Sequence, residues 1–396
     1  MFGAGGRRSF TEVCAVKVPA CCLGATRRIY VRPFNHRLGA VALATCLLGG
    51  ADLPQALAAE EGNVGPVEST VMSFRTPHDR LFDIEFIGSR GWAVGQFGLV
   101  MRTDDGGTNW QELEGIPGTD LLGVDFLDDK RGAVVGTMGT AYYTEDGGDT
   151  WIKAKNDFSG RVFDIDITEN GFGFGVGEFG AIIRTDDLGH SWKNITPSYE
   201  EVLGQLEEPH MYDTFIDSKG TAFVFGEYNT ILRTKDRGVS WEILRKGDSL
   251  ALEASEGDYI GAESMFSAHF IDDNRGWVCG QSGIIMTTQD GGETWLKQAT
   301  PTTSLLMDIW MSPEGEGVAI GMRTLLRTKD FGKTWYTLHG KPISDRWFQA
   351  LGKGEAMLHI ESETNEAGEK MTPSMTTLKN QVYAVGTGGM ILRLDN

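Results

Sequence analysis

The stretch Thr103-Asp104-Asp105-Gly106-Gly107-Thr108-Asn109-Trp110 decides the fold, because the chain contains its pattern six times. The further copies occupy residues 144–151, 185–192, 234–241, 288–295 and 328–335. They share the pattern Thr-x-Asp-x-Gly-x-Thr/Ser-Trp, from which Asn109 is the one deviation. Successive copies are about 40 to 54 residues apart, and a period of this length is typical of repeat architectures such as propellers.

Each copy follows three short segments with strand character. In the first unit, residues 81–86 alternate between apolar and polar side chains, and residues 91–95 and 99–102 supply two further strands. The motif then turns the chain into a fourth strand that begins at Trp110. Four short antiparallel strands per repeat make one blade of a β-propeller.

A seventh unit is incomplete at the end of the chain. Residues 381–386 and 390–393 repeat the two middle strands, but no further motif follows them. Residues 70–74 also have strand character and belong to none of the six complete units. The sequence therefore predicts an all-β, seven-bladed β-propeller, closed by an N-terminal strand that joins the last blade and removes its exposed edges.

Composition and charge exclude several classes of function. The chain has 396 residues, of which 53 are glycine, and carries 36 Lys and Arg against 55 Asp and Glu, for a net charge of −19. Extended binding to nucleic acid needs a basic surface, so nucleic acid is excluded as a partner. No apolar run in the predicted mature chain reaches the roughly 18 to 20 residues of a transmembrane helix, so we expect no transmembrane segment there.

The first 59 residues have the pattern of an export signal. Seven basic residues precede an apolar stretch at 38–50, and Ala56-Leu57-Ala58 forms an Ala-x-Ala cleavage signal. The pair Arg27-Arg28 resembles a twin-arginine signal, which leaves the Sec and twin-arginine routes open. We predict cleavage after Ala58, a mature domain of residues 60–396 and a periplasmic location, or a thylakoid-lumen location in a photosynthetic source.

The motif has a structural interpretation. An aspartate in such a turn accepts backbone N–H groups, the glycine adopts a positive φ, and the tryptophan packs between blades. The spacing does not fit a calcium loop, so we expect neither a metal nor another cofactor. The predicted structural residues are Asp105, Asp146, Asp187, Asp236, Asp290, Asp330, Trp110, Trp151, Trp192, Trp241, Trp295 and Trp335.

The repeat resembles the Asp-box, or bacterial neuraminidase, repeat. With the preceding Gly-x-x-Gly-x-Ile/Leu-x-Arg and the Asp-Ile-x-Phe and Gly-x-Ala-Val-Gly strands, residues 70–396 resemble the photosystem II assembly and stability factor family. The resemblance implies an exported seven-bladed propeller that is not an enzyme. It further implies a membrane-protein complex, or its assembly intermediates, as the partner.

An arginine recurs directly before the threonine of the motif. The resemblance implies that these arginines form a partner-binding patch, and a guanidinium group suits carboxylates and backbone carbonyls. The alternative is that each arginine pairs with an acidic residue of its own blade or the next. The series consists of Arg102, Arg184, Arg233, Arg327 and Arg393, and Tyr143 and Thr287 interrupt it.

A second series of acidic residues lies on the first strand of the units. The residues are Asp83, Asp164, Asp213 and Asp308 at one position, and Glu85, Asp125 and Asp166 two residues further on. Alternation places both positions on one strand face, opposite Phe82, Ile84 and Phe86. Since innermost strands line the channel of a propeller, we expect these carboxylates there, solvated or bonded to N–H groups rather than to a metal.

Two other functions stay open. Sialidases share the turn motif and carry an arginine in a Phe-Arg-Ile-Pro phrase, to which Phe74-Arg75-Thr76-Pro77 comes close. Glycoside hydrolysis also needs two placed carboxyl groups, and the spacing identifies none. The second alternative is a periplasmic accessory protein of a membrane transporter that binds a carbohydrate or a lipid.

Extra residues fall around 195–210, 245–264 and 339–376, always between the last strand of one unit and the first strand of the next. These connections emerge on one face of a propeller. They are rich in glutamate and aspartate, so this face is either a solubilising surface or a docking surface for a basic client loop.

Overall fold

The computed structural model describes residues 69–73, 79–204, 208–245, 263–357 and 378–394. Their strands form seven sheets, one for each predicted blade. Within each sheet, the strands that follow one another in a unit pair in antiparallel order. The prediction of an all-β, seven-bladed β-propeller is confirmed.

The first three blades contain the following strands, from the channel outward. Blade 1 comprises Leu81–Ile87, Arg90–Gly95, Val100–Thr103 and Gln111–Glu112. Blade 2 comprises Leu121–Phe126, Gly132–Gly136, Ala141–Thr144 and Ile152–Lys153. Blade 3 comprises Val162–Ile167, Gly173–Gly177, Ile182–Thr185 and Ser191–Asn194.

The remaining blades follow the same order. Blade 4 comprises Met211–Ile216, Ala222–Gly226, Ile231–Thr234 and Glu242–Arg245. Blade 5 comprises Met265–Phe270, Gly276–Gly280, Ile285–Thr288 and Leu296–Gln298. Blade 6 comprises Leu306–Met311, Gly317–Gly321, Thr324–Thr328 and Tyr336–Thr337. Blade 7 comprises Phe348–Met357, Leu378–Gly386, Met390–Leu394 and Ser69–Ser73.

Blade 7 combines strands from both ends of the chain. Ser69–Ser73 pairs antiparallel with Met390–Leu394, with Val71 opposite Leu392. This N-terminal strand takes the outer position that the motif-containing part of the chain supplies in the other blades.

Blade 3 departs from the expected four strands. Lys155–Asn156 adds a fifth, outermost strand, which pairs in parallel with Ser191–Asn194. The backbone N–H of Lys155 donates to the carbonyl oxygen of His190 over 3.0 Å. This contact satisfies an N–H group on the edge of the sheet.

Short helices occur in two of the connections between blades. Tyr199–Leu203 follows blade 3, and Lys341–Ser344 follows blade 6. The side chain of Ser198 caps the first of them by accepting a hydrogen bond from the N–H of Glu201. Three single turns of 3-10 helix, Gln96–Gly98, Glu178–Gly180 and Gln281–Gly283, connect second and third strands.

A β-bulge near the start of every first strand positions the channel residues. In blade 1 the pairing with the second strand shifts between Leu81 and Asp83, and the other six blades shift at the corresponding place. An extra residue at a bulge reverses the alternation of side chains. The expectation that Phe82 shares the buried face with Ile84 was therefore wrong, because Leu81 is fully buried and Phe82 only partly so.

The hydrophobic core is divided among the interfaces between blades. One cluster joins Phe223 and Phe225 of blade 4 to Met265 and Val278 of blade 5, and Trp295 packs against it. The glycine that ends each second strand leaves room for the backbone just before the first strand of the same blade. A Cβ at Gly177, for example, would collide with the carbonyl oxygen of Arg161.

Candidate functional site

The turns of each blade lie at two opposite ends of its strands, and we name the two resulting faces. The hairpin face carries the turns between second and third strands, such as Gln96–Gly98, and the connections to the next blade. The motif face carries the six motif turns, such as 103–110. In blade 1, the third strand, Val100–Thr103, runs from the hairpin face to the motif face.

The acidic residues of the first strands line one cavity of about 420 Å³. All seven of the predicted carboxylates are found there, and the expectation that they share one face of their strands is confirmed. These seven residues are Asp83, Glu85, Asp125, Asp164, Asp166, Asp213 and Asp308. Their side chains are partly exposed to this channel.

Most of these carboxylates connect neighbouring blades. Asp83 accepts a hydrogen bond from the N–H of Val124 over 2.8 Å, and Asp125 accepts one from Ile167 over 2.6 Å. The same contact recurs in later blades, from Thr214 to Asp164, from Ile216 to Asp166, from Ala268 to Asp213 and from Leu351 to Asp308. The carboxylates therefore stabilise the junctions between first strands.

Burial and mutual repulsion raise the pKa values of the channel carboxyls. Desolvation is the largest cause in each case, and it outweighs the N–H donors, which lower the pKa. It raises the pKa of Asp83 to about 6, of Asp166 and Asp308 to about 7, and of Asp213 to about 8. The pKa values of Glu85, Asp125 and Asp164 also lie well above the usual range.

Blade 5 has neutral side chains at the corresponding channel positions. Ser267 donates a hydrogen bond to Asp308 over 2.6 Å, and Nε2 of His269 lies 3.0 Å from the carbonyl oxygen of Met311. Because a carbonyl can only accept, Nε2 of His269 carries a proton. Burial lowers the pKa of His269 to about 4, so the ring is neutral at pH 7.

Within the described part of the chain, no group of His, Cys, Asp or Glu side chains has the arrangement of a metal site. Cys279 is buried, and desolvation raises the pKa of its thiol well above the usual value. A buried thiol with a raised pKa is a poor nucleophile.

Aromatic side chains surround one side of the channel on the hairpin face. Phe163, Tyr212 and Phe266 occupy the bulge positions of blades 3, 4 and 5, and each directly precedes a channel residue. The ring centroids of Phe163 and Tyr212 are 5.6 Å apart, and those of Tyr212 and Phe266 are 4.9 Å apart. His210 and Phe179 extend this set, with centroids 5.1 Å apart. We call these five residues the aromatic collar.

Exposed apolar residues continue the collar along the hairpin turns. Phe97, Met138 and Phe179 are 69%, 74% and 63% exposed. All three have positive φ values, of 57°, 55° and 53°, a conformation that is costly for bulky residues and often marks functional sites. The next blade holds two of them in place, because the N–H of Phe97 donates to Asp120 and that of Phe179 to Nδ1 of His210.

The motif aspartates organise the motif turns. In blade 2, Asp146 accepts hydrogen bonds from the hydroxyl of Thr144 over 2.8 Å and from the N–H and hydroxyl of Thr150 over 2.9 and 2.6 Å. Asp105, Asp187, Asp236, Asp290 and Asp330 make equivalent contacts. Asn109 replaces the usual threonine or serine without loss, because its backbone N–H and its side-chain amide both donate to Asp105.

The motif tryptophans pack against the preceding blade. Trp192 of blade 3 lies in a buried cluster with Ala133 of blade 2, and Trp335 of blade 6 lies in one with Trp277 of blade 5. Trp110, Trp151, Trp241 and Trp295 likewise pack against buried clusters of their own or the preceding blade.

Three of the five predicted arginines bridge to the motif turn of the next blade. Arg102 donates to the carbonyl oxygen of Gly147 over 3.0 Å and pairs with Asp149 over 2.7 Å. Arg184 donates to the carbonyl oxygen of Arg237 over 3.0 Å. Arg233 is 7% exposed and pairs with Glu242 and Glu293. Arg327 and Arg393 also have interaction partners. Their role in binding a partner stays a prediction.

Some sequence-based hypotheses lie outside the described residues. These are the export signal of residues 1–59, Arg75 of the sialidase alternative and most of the insertion at 245–264. The aromatic collar and the exposed turn residues were missed by the sequence reasoning. A signal for the latter exists, since Phe97, Met138 and Phe179 each precede a glycine that follows a second strand.

No helix in the described ranges has both the length and the apolar character that crossing a bilayer requires.

Comparison with known structures gives the same fold. A structure described as YCF48 bound to D1 peptide superposes with a TM-score of 0.59 at 20% identity, over 84% of this chain and 98% of that one. YCF48 from Cyanidioschyzon merolae gives 0.59 at 18% identity, over 82% and 98%. The WD40 β-propeller domain of Doa1 gives 0.56 at 12% identity, over 84% and 97%. No curated protein matches the sequence.

One family model matches the sequence in three segments, residues 61–161, 115–200 and 260–359, which together cover more than half of the chain. It describes the photosynthesis system II assembly factor YCF48. The chain therefore belongs to the YCF48 family of photosynthesis system II assembly factors.

Proposed function

We propose that the mature chain is an exported, non-catalytic assembly factor that binds a segment of a membrane-protein client on its hairpin face. The aromatic collar is the observation that carries this proposal. Its rings are partly exposed around the channel, although the apolar residues directly before Phe163, Tyr212 and Phe266 are buried. Exposed aromatic clusters of this kind are typical of protein-binding surfaces.

The charge of the channel indicates the chemistry of the client. Seven carboxylates lie behind the collar, and the whole chain carries a net charge of −19. A client segment with a basic residue among apolar ones complements both features, because a cation favours the ionised form of the clustered carboxyls and offsets their mutual repulsion, while the apolar side chains cover the rings.

Two further observations support a binding role. The related YCF48 structure was determined with a D1 peptide, so peptide binding is compatible with this fold. The channel carboxylates that accept N–H groups from the next blade have a structural use, which favours a scaffold over a glycoside hydrolase. A hydrolase needs two carboxyl groups placed for a substrate instead.

A pull-down from solubilised membranes of the source organism tests the proposal. The bait is residues 60–396, compared with a Phe97→Asn/Met138→Asn/Phe179→Asn variant, in which asparagine tolerates the positive φ. We expect the wild type to retain a membrane protein and this variant to lose it. An Ile152→Asn/Val239→Asn variant is the matched control, because both residues are exposed and apolar but lie away from the hairpin turns.

A separate arm with Arg184→Glu/Arg233→Glu tests the predicted arginine patch. Loss of the client in this arm, with unchanged thermal unfolding, assigns the arginines to binding. Capture of the same proteins by all variants contradicts the proposed surface. Recovery of transporter subunits instead of assembly intermediates favours the accessory-protein alternative.

Export is part of the same proposal. N-terminal sequencing of the protein purified from its source tests it, with Ala59 as the expected first residue and recovery in the periplasmic or luminal fraction. A full-length N-terminus in the cytoplasmic fraction contradicts it.

A further inference from the structure

Four junctions between blades, from blade 1 to blade 5, share one arrangement on the motif face. The residue before the motif threonine of one blade reaches the motif turn of the next, as Arg102 reaches Asp149 and Arg233 reaches Glu293. Where Tyr143 replaces the arginine, its ring stacks on His190 with centroids 4.0 Å apart. Each of these pairs spans the two blades that it joins.

The junction between blades 5 and 6 lacks such a pair. Thr287 stands where the arginine stands elsewhere, and its hydroxyl donates to Gly276 of its own blade over 3.0 Å. Lys333 stands where Asp149 and Glu293 stand in their turns. Neither partner of the Arg102–Asp149 pair is therefore present, and a basic residue stands at a position that is acidic in blades 2 and 5. An open groove of about 580 Å³ lies at this junction.

The groove has an apolar floor. Trp277 and Phe331 line it, with ring centroids 6.2 Å apart, and Leu296 at its side is 64% exposed. The carbonyl oxygen of Phe331, whose counterpart in blade 2 accepts from Arg102, here accepts from Nε1 of Trp277 and from Nε2 of Gln298. The carbonyl oxygen of Phe331 therefore has hydrogen-bond donors although no arginine occupies position 287.

Basic residues form the rim. Arg275, Lys297 and Lys333 line the groove, and no carboxylate is among the described residues that line it. Arg275 pairs with Asp272 over 2.7 Å and lies over the ring of Phe331. Hydrogen bonds from Thr334 and Thr328 outweigh desolvation and lower the pKa of Asp330, and the charge of Lys333 adds to this effect. Lys297 and Lys333 are both exposed. The groove is basic, whereas the chain as a whole carries a net charge of −19.

We propose that this groove binds an extended peptide segment in which a carboxylate side chain lies next to an apolar one. The carboxylate contacts the lysines of the rim, and the apolar side chain covers Leu296 and the rings of the floor. This site goes beyond the proposed client surface, since it lies at the motif turns and outer strands and not at the collar.

Selection from a random peptide library displayed on bacteriophage, with the purified chain as target, tests the proposal. We expect enriched peptides to carry Asp or Glu beside an apolar residue. We further expect a Lys297→Glu/Lys333→Glu variant to bind them about tenfold or more weakly, because it replaces attraction by repulsion. The control is Lys153→Glu, which changes the position in blade 2 that corresponds to Lys297 and lies at a junction closed by Tyr143 and His190.

A second variant closes the groove instead of reversing its charge. Thr287→Arg/Lys333→Asp recreates the pair formed by Arg102 and Asp149, so we expect it to abolish peptide binding while the unfolding temperature stays at or above that of the wild type. The proposal is overturned if no peptide is enriched, if the enriched peptides lack acidic residues, or if they bind both variants as well as the wild type. Because the assay uses purified protein and no membrane client, its failure leaves the proposed function unaffected.

Discussion

The carboxylate of Asp166 in blade 3 accepts a hydrogen bond from the backbone N–H of Ile216 in blade 4 over 2.6 Å. This contact joins the innermost strands of two blades at the channel. The same carboxyl is also close enough to Asp125 and Asp213 for their charges to interact. The channel therefore combines a stabilising hydrogen bond with a destabilising repulsion at one residue.

Substitution of Asp166 separates these two effects. We expect Asp166→Ala to lower the free energy of unfolding by about 1 to 3 kcal/mol, because it leaves the N–H of Ile216 without its acceptor. Asp166→Asn keeps an acceptor oxygen and removes the charge, so we expect a smaller loss or a gain. Urea unfolding at pH 7 measures both. Equal losses in the two variants would show that the hydrogen bond is not the main contribution.

We expect the free energy of unfolding of the propeller to fall as the pH rises from 5 to 8.5. The pKa values of Asp83, Asp166, Asp308 and Asp213 are raised to about 6, 7, 7 and 8. In this range the folded state thus binds more protons than the unfolded chain, and the free energy of unfolding decreases with pH. Because the side chains of these residues are partly exposed, screening by solvent reduces the size of the effect.

Two groups of residues act in the opposite direction at lower pH. His269, with a pKa lowered to about 4, favours the unfolded state below about pH 6.5. The motif aspartates have lowered pKa values, to about 2 for Asp236, so their contribution is lost in strong acid. Thermal unfolding between pH 3 and 9 checks this, and Asp213→Asn should flatten the decline above pH 6. A midpoint that rises from pH 6 to 8.5 is the contrary result.

The motif turns depend on their aspartates. We expect Asp146→Ala to destabilise the chain by about 1 to 3 kcal/mol, since it leaves the N–H of Thr150 without its partner. Glu145→Ala changes an adjacent exposed residue and should alter stability by no more than about 0.5 kcal/mol. Chemical denaturation compares the two. Similar effects at both positions would contradict a specific role for the motif aspartate.

The arginine bridges couple neighbouring blades. A double-mutant cycle on Arg102 and Asp149, which pair over 2.7 Å, should give a coupling energy of about 0.5 to 1 kcal/mol, because Arg102 is largely shielded whereas Asp149 is exposed. The same cycle on Arg102 and the more distant Asp120 should give a value near zero. A coupling of zero in the first cycle would mean that the ion pair of Arg102 with Asp149 does not stabilise the junction of blades 1 and 2.

The sequence predicted the blades and the place of the channel carboxylates, because both follow from short-range repetition. The six motifs fix the period, and alternation puts Asp164 and Asp166 on one face of a strand. Alternation failed at Phe82, however, since a bulge depends on the pairing with the next strand and not on the residue itself.

Features that arise between blades could not be predicted in the same way. The bridge from Arg102 to Asp149 joins residues 47 positions apart, and the packing of blade 1 against blade 2 brings them together. The exposure of Phe97 depends on a left-handed turn, which the sequence marks only by the glycine that follows. The sequence showed that Thr287 interrupts the arginine series. The groove at this position and its basic rim could be identified only from the structure.

Site-specific photo-crosslinking in the source organism tests the central claim most directly. A photoreactive phenylalanine analogue replaces Phe97 or Phe179 on the hairpin face, and Val239 in a motif turn is the control. The account predicts adducts with one membrane protein from positions 97 and 179 and none from position 239. No adduct from the first two positions, or the same adducts from all three, would contradict client binding on the hairpin face.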